Sequence, residues 1–111
     1  LMAAASRSIK RVSLELGGNA PFIILPDADL AFAAEQLCRL KLFVSGQVCV
    51  TANRIFVHSD VVAKFIDLVA QRLSSAHVGN GLIDGVDSGP LIHQHACTEV
   101  GTLVEQSLQA G

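Results

Sequence analysis

The segment Pro21-Phe22-Ile23-Ile24-Leu25 is an unbroken apolar run of strand length, closed at once by Pro26-Asp27. A run this short, with proline on both sides, does not suit a helix. Its lack of polar alternation marks a strand buried on both faces, as in parallel sheets. Parallel strands need a crossover between them, usually a helix, and the sequence supplies one. Leu30, Ala33, Ala34, Leu37, Cys38 and Leu40 follow helical spacing, so a helix is expected over about 29–43, capped by Asp27 or Asp29. Ser45-Gly46-Gln47 should end it, and Arg54 to His58 reads as the next strand. A second helix is expected over about 61–75, capped by Ser59 or Asp60, with Val62, Phe65, Ile66, Val69 and Leu73 on one face. Val78 to Pro90 is a Gly-rich loop, and a last helix spans about 93–110. Upstream, residues 1–6 read as the last turn of a helix. Arg11 to Leu16 alternates like a short strand, and Gly17-Gly18-Asn19 reads as the turn that ends it. The order is that of an α/β layered domain with buried strands running parallel.

Composition decides whether such a unit stands alone. Half of the residues are apolar and only 16% are charged, against about 25% in an ordinary soluble domain. The chain has much to bury and little to cover itself with, so part of its surface is expected to pack on other chain. Leu1 at the first position adds to the expectation of an internal piece. No apolar stretch approaches the roughly 20 residues of a membrane helix, and the N-terminus lacks the layout of a signal peptide. A net charge of −2 gives no electrostatic footprint for nucleic acid. Three cysteines, an odd count without tight spacing, do not make a disulfide scaffold. A cytoplasmic setting with neither nucleic-acid nor membrane partners is expected.

Two residues stand out as carriers of chemistry. Cys38 and Cys97 fall on apolar helix faces, where cysteine serves as a small buried hydrophobe. Cys49 instead follows Gly46-Gln47-Val48 at a break between helix and strand. A nucleophile needs such a place, open to substrate and near free backbone N–H groups that can hold an oxyanion. Glu15, at the end of a short apolar stretch and before Gly17-Gly18, could stand at the carboxyl edge of a sheet, where ligands gather in open α/β folds. From position alone, the favoured readings are Cys49 as a structural residue and Glu15 as an exposed strand residue. His93, His95 and Cys97 do not make a metal site, since only His93 and Cys97 share a helix face and structural zinc takes four ligands. Asp84 and Asp87 lack the spacing of a calcium loop.

Taken together, Leu14-Glu15-Leu16-Gly17-Gly18-Asn19-Ala20-Pro21 and Gly46-Gln47-Val48-Cys49 resemble the two signatures of the aldehyde dehydrogenase superfamily. Glu15 and Cys49 lie 34 positions apart, as the family leads one to expect. The similarity continues through Pro26-Asp27-Ala28-Asp29-Leu30, Asn53-Arg54-Ile55-Phe56-Val57, Val78-Gly79-Asn80-Gly81 and Gly89-Pro90-Leu91-Ile92, and so covers essentially the whole chain.

The resemblance implies a three-layer α/β catalytic domain, present in part, with a parallel sheet and helices on both faces. Residues 1–16 would end the NAD(P)-binding domain and residues 17–111 would form the N-terminal part of the catalytic domain. Cys49 would attack the aldehyde, Glu15 would activate the water that releases the acid, and Leu16 and Gly17 would line the nicotinamide pocket. The cofactor would be NAD or NADP, the substrate a small aldehyde, the full-length protein a homo-oligomer, and no metal would be needed. The family's remaining oxyanion and ribose-binding residues would lie outside these 111 residues, so the piece alone is expected to be inactive. A relative that passes its acyl group to coenzyme A, and a non-catalytic structural fragment of the family, are the competing readings. The branch resembled most is that of the succinate-semialdehyde dehydrogenases, but with departures. Phe43 stands at the position of an arginine that would grip a substrate carboxylate, Val44 at that of a common asparagine, and Thr51 where some members carry a second cysteine.

Overall fold

The computed structural model describes residues 1–111. Five helical elements and two strands follow one another: α1 (Met2–Ser6), β1 (Ala20–Ile24), α2 (Leu30–Leu42), a 3-10 turn (Phe43–Gly46), β2 (Ala52–Val57), α3 (Val62–Ser74) and α4 (Gln94–Ala110). The strands pair in parallel, with Phe22 opposite Ile55 and Ile24 opposite Val57, and α2 is the crossover between them.

α2 begins where Asp29 Oδ1 accepts the Phe32 N–H at 3.1 Å. This satisfies one of the orphan donors of the first turn. Arg39 and Lys41 lie in the last turn, where positive charge suits the helix dipole. Its buried stripe is Ala34, Leu37 and Cys38. With Ile24, Ala52 and Phe65 these residues form the centre of the fold, each exposed by 5% or less. Phe65 is the buried residue of α3 and seats that helix beside α2 over the same face of the sheet.

The opposite face is uncovered within this chain: Ile23 is 66% exposed and its neighbour across the ladder, Phe56, is 52% exposed. β1 is thus buried on one face here, where the apolar run suggested both. The layered α/β order holds, with α2 and α3 supplying one helical layer.

Three local expectations are corrected. Arg11 to Leu16 forms no strand, and Gly17 to Asn19 forms no turn. The alternation is present, but a strand exists only by pairing, and no neighbouring strand lies beside this extended segment. Neither Ser59 nor Asp60 caps α3, whose N-cap position is Val61 without a side-chain bond. The Ser59 hydroxyl instead donates to Asp60 Oδ1 at 3.3 Å. Cys97 is exposed, because α4 carries no buried residue.

The Gly-rich loop 78–90 is an ordered connection. Val78 and Ser88 form a parallel bridge, and the Gly79 N–H donates to the Ser88 carbonyl at 3.0 Å. Arg72 of α3 lies between Glu35 of α2 at 3.4 Å and Asp87 of the loop at 3.6 Å. Asp87 also accepts the His77 N–H at 2.9 Å. That bond, aided by Arg72, holds the Asp87 carboxyl below the usual carboxylate range.

Candidate active site

The segment between α2 and β2 runs through three successive left-handed residues: Val44 (φ 49°), Ser45 (φ 55°) and Gly46 (φ 73°). Glycine accepts this conformation freely. For an L residue it costs roughly 1–2 kcal/mol, and for a β-branched one it is a true outlier. Such strain persists only where the surroundings over-determine it. Here Lys41 Nζ donates to the Ala52 carbonyl at 2.9 Å and to Asn53 Oδ1 at 3.2 Å, closing the base of the segment. Gln47 Nε2 donates to the Val44 carbonyl at 3.1 Å, and Gln47 Oε1 accepts the Ile92 N–H at 3.0 Å. Ser45 Oγ donates to the Gly89 carbonyl at 2.8 Å. A sequence pattern gives no sign of these long-range ties. Only the glycine at position 46 hinted at an unusual backbone.

Cys49 lies exposed in the tight turn that follows, where the Thr51 N–H reaches the Val48 carbonyl at 3.0 Å. The Cys49 N–H donates to no other group of the protein. An open thiol and an unspent donor on the same residue suit the addition of sulfur to a carbonyl, whose oxygen then needs a hydrogen bond. Cys38 is the opposite case. It is fully buried, and burial pushes its thiol up despite the nearby Arg72.

Glu15 and Leu16 lie in the extended segment before β1, both exposed, Leu16 by 70%. Glu15 has no hydrogen-bond or ion-pair partner. The two sequence motifs meet through backbone: a Cβ built on Gly18 would collide with the Cys49 carbonyl oxygen. Gly18, read from sequence as part of a turn, is therefore a close-approach glycine, and it brings the segment carrying Glu15 alongside the cysteine turn. Gly17 differs, with nothing within 4 Å of where its Cβ would stand.

Thr51 is 4% exposed, and its hydroxyl is the one buried side-chain polar atom without a hydrogen-bond partner. His93 Nδ1 accepts the Ala96 N–H at 3.0 Å as the cap of α4. His95 lies 3.4 Å from Glu99. No three His, Cys, Asp or Glu side chains are grouped so as to hold a metal, and no helix is long and apolar enough to cross a membrane.

Comparison with known proteins extends this geometry. The chain is 51% identical over 107 residues to succinate-semialdehyde dehydrogenase [NADP(+)] 1 of Schizosaccharomyces pombe, covering 96% of this chain and 22% of that protein. It is 44% identical over 111 residues to the non-phosphorylating aspartate-semialdehyde dehydrogenase of Halomonas elongata, covering the whole of this chain and 22% of the relative. The crystal structure of an NADP dependent enzyme of Escherichia coli superposes with a TM-score of 0.89 at 44% identity, over 99% of this chain and 23% of that one. The chain thus spans less than a quarter of the length of the relatives it matches. The family model described as "Aldehyde dehydrogenase family" matches residues 1–111. The chain belongs to the aldehyde dehydrogenase family.

Proposed function

We propose that this chain carries the nucleophile and the general base of an NAD(P)-dependent dehydrogenase that converts an aldehyde to a carboxylic acid. Cys49 is the nucleophile and Glu15 the base. Residues 1–16 close the cofactor-binding domain and residues 17–111 open the catalytic domain. The observation that carries this reading is the contact of Gly18 with the Cys49 carbonyl, which joins the two motifs beside an exposed thiol with a free N–H.

The residues present also fit a nicotinamide. Leu16 offers an exposed apolar side chain, and beside it Gly17 leaves its backbone open to a flat ring. When bound, the cofactor supplies an acceptor for two electrons as hydride. The Cys49 thiolate, its proton already passed to solvent, bonds through Sγ to the aldehyde carbon, and the π pair moves onto oxygen, which accepts the Cys49 N–H. When hydride departs, that oxygen closes its double bond again and leaves a thioester on Cys49. Glu15 then takes a proton from a water whose oxygen attacks the thioester. The C–S bond breaks, the acid leaves and the thiolate returns. Splitting one oxidation into two steps replaces a poor hydride donor, the aldehyde, with a good one.

The test is made in the full-length protein. Cys49→Ala should lower aldehyde oxidation to background and leave NADP+ affinity unchanged. Retention of more than a few per cent of the rate would move the nucleophile elsewhere. Glu15→Gln should lower turnover by about 10²–10⁴-fold, the usual worth of general-base assistance. It should also show a burst of reduced cofactor before the slow phase.

A further inference from the structure

We propose that Ser45 and Ser88 are positioning residues for Cys49, a hydroxyl pair that holds the left-handed turn before the cysteine against the loop ending at Pro90. Ser88 Oγ donates to Ser45 Oγ at 3.1 Å, and Ser45 Oγ donates in turn to the Gly89 carbonyl at 2.8 Å, across 43 and 44 positions of sequence. Each hydroxyl has one proton to give, so the direction of this chain of bonds is set: Ser88 to Ser45 to Gly89. Ser88 is 9% exposed, so its hydroxyl has little access to water as an alternative partner.

The pair acts where the backbone needs it. Val44 and Ser45 both have left-handed backbone, and neither favours it. Lys41 ties only the ends of the segment, and the Gln47 side chain reaches back to Val44 within the turn itself. The bonds that fix the turn against the rest of the fold are those that Ser45 accepts from Ser88 and donates to Gly89, and the one that Gln47 accepts from the Ile92 N–H. Ser88 is a firm post: its N–H donates to the His77 carbonyl and its carbonyl accepts from Gly79. Its neighbour Asp87 is linked through Arg72 to Glu35 of α2. A continuous path therefore runs from the packed helices to the turn that aims the thiol.

The catalytic consequence rests on Cys49 being the nucleophile, but the latch can be measured without that assumption. In the full-length protein, Ser45→Ala, Ser88→Ala and the double variant are compared with wild type and with Ser88→Thr, which keeps the hydroxyl. The readouts are the rate of iodoacetamide alkylation at Cys49, followed by mass spectrometry in the folded protein, together with kcat, KM and NADP+ affinity. Each Ala variant should change the alkylation rate by about threefold or more and lower kcat by about tenfold, near the worth of one hydrogen bond. KM and NADP+ affinity should stay within about twofold. The double variant should match Ser45→Ala, which already loses both the Ser88 bond and the Gly89 bond, and Ser88→Thr should recover most of the rate. A lower melting temperature with unchanged alkylation and kcat overturns the latch and leaves Ser88 as a stabilising residue only. If Ser88→Ala does not fold, Ser45→Ala carries the same measurements. Should wild type lack Cys49-dependent oxidation, the functional reading fails while alkylation still decides the latch, and equal rates overturn it.

Discussion

Val44 has φ 49° and ψ 34°, and the residue is 56% exposed. A β-branched residue gains nothing there and meets its own backbone, whereas asparagine tolerates the left-handed region. This gives a physical reason for the asparagine common at this position in the family. Val44→Asn is expected to raise the stability of the full-length protein by about 1 kcal/mol, by relieving the left-handed strain at this position. Denaturant titration checks it, and a lower midpoint would contradict it. The preceding residue bears on specificity. Phe43 is 62% exposed, at the position of the arginine expected to hold a substrate carboxylate. Burying a carboxylate without a partner costs several kcal/mol, while an apolar wall favours an uncharged tail. Under the proposed function, the full-length protein is therefore expected to prefer an uncharged aldehyde over succinate semialdehyde, and Phe43→Arg to narrow or reverse that preference. The contrast is pointed, because relatives at 44–51% identity are named for semialdehydes that carry a carboxylate. The ratio of kcat/KM for the two substrates decides it. A wild type that favours the semialdehyde tenfold, about 1.4 kcal/mol, would clear Phe43 of the role.

Among the elements, those that pack within the chain were legible and those that depend on absent neighbours were not. α2 and β2 appear within two residues of expectation because periodicity, the Asp29 cap and an internal partner all agree. Arg11 to Leu16 has the alternation of a strand but nothing to pair with, and Cys97 sits on a helix that buries no residue here. Glycine counts made 78–90 a loop, yet its order comes from Asp87, His77 and Arg72, which composition could not pair. That cluster sets a pH dependence. The Asp87 carboxyl is held below its ordinary value by the His77 N–H and then by Arg72. Its contribution is full above the unfolded value of about 3.9 and is lost as pH falls through the lower folded value. In the full-length protein, the melting temperature of wild type should fall more steeply below about pH 4 than that of Asp87→Asn. Parallel curves would show that the loop draws nothing from this charge.

At the scale of the whole molecule, the low charge content announced a unit short of cover, and only 8 of 111 residues are buried. The identities of Cys49 and Glu15 as candidates were readable from motifs. The contact of Gly18 with the Cys49 carbonyl and the Ser45–Ser88 pair were not, because such contacts join residues tens of positions apart and leave no periodic trace. The uncovered sheet face has a consequence for biosynthesis. β1, α2, β2 and α3 pack together within one contiguous stretch, residues 20–74, so the unit can collapse once that stretch has left the ribosome. At about 5–20 residues per second, these 111 residues take on the order of ten seconds to emerge. For as long as the face stays uncovered, Ile23 and Phe56 lie open beside two unpaired strand edges. The nascent chain then offers a sticky, strand-ready surface to its neighbours on the polysome, which makes a holding chaperone most useful while this stretch is being translated.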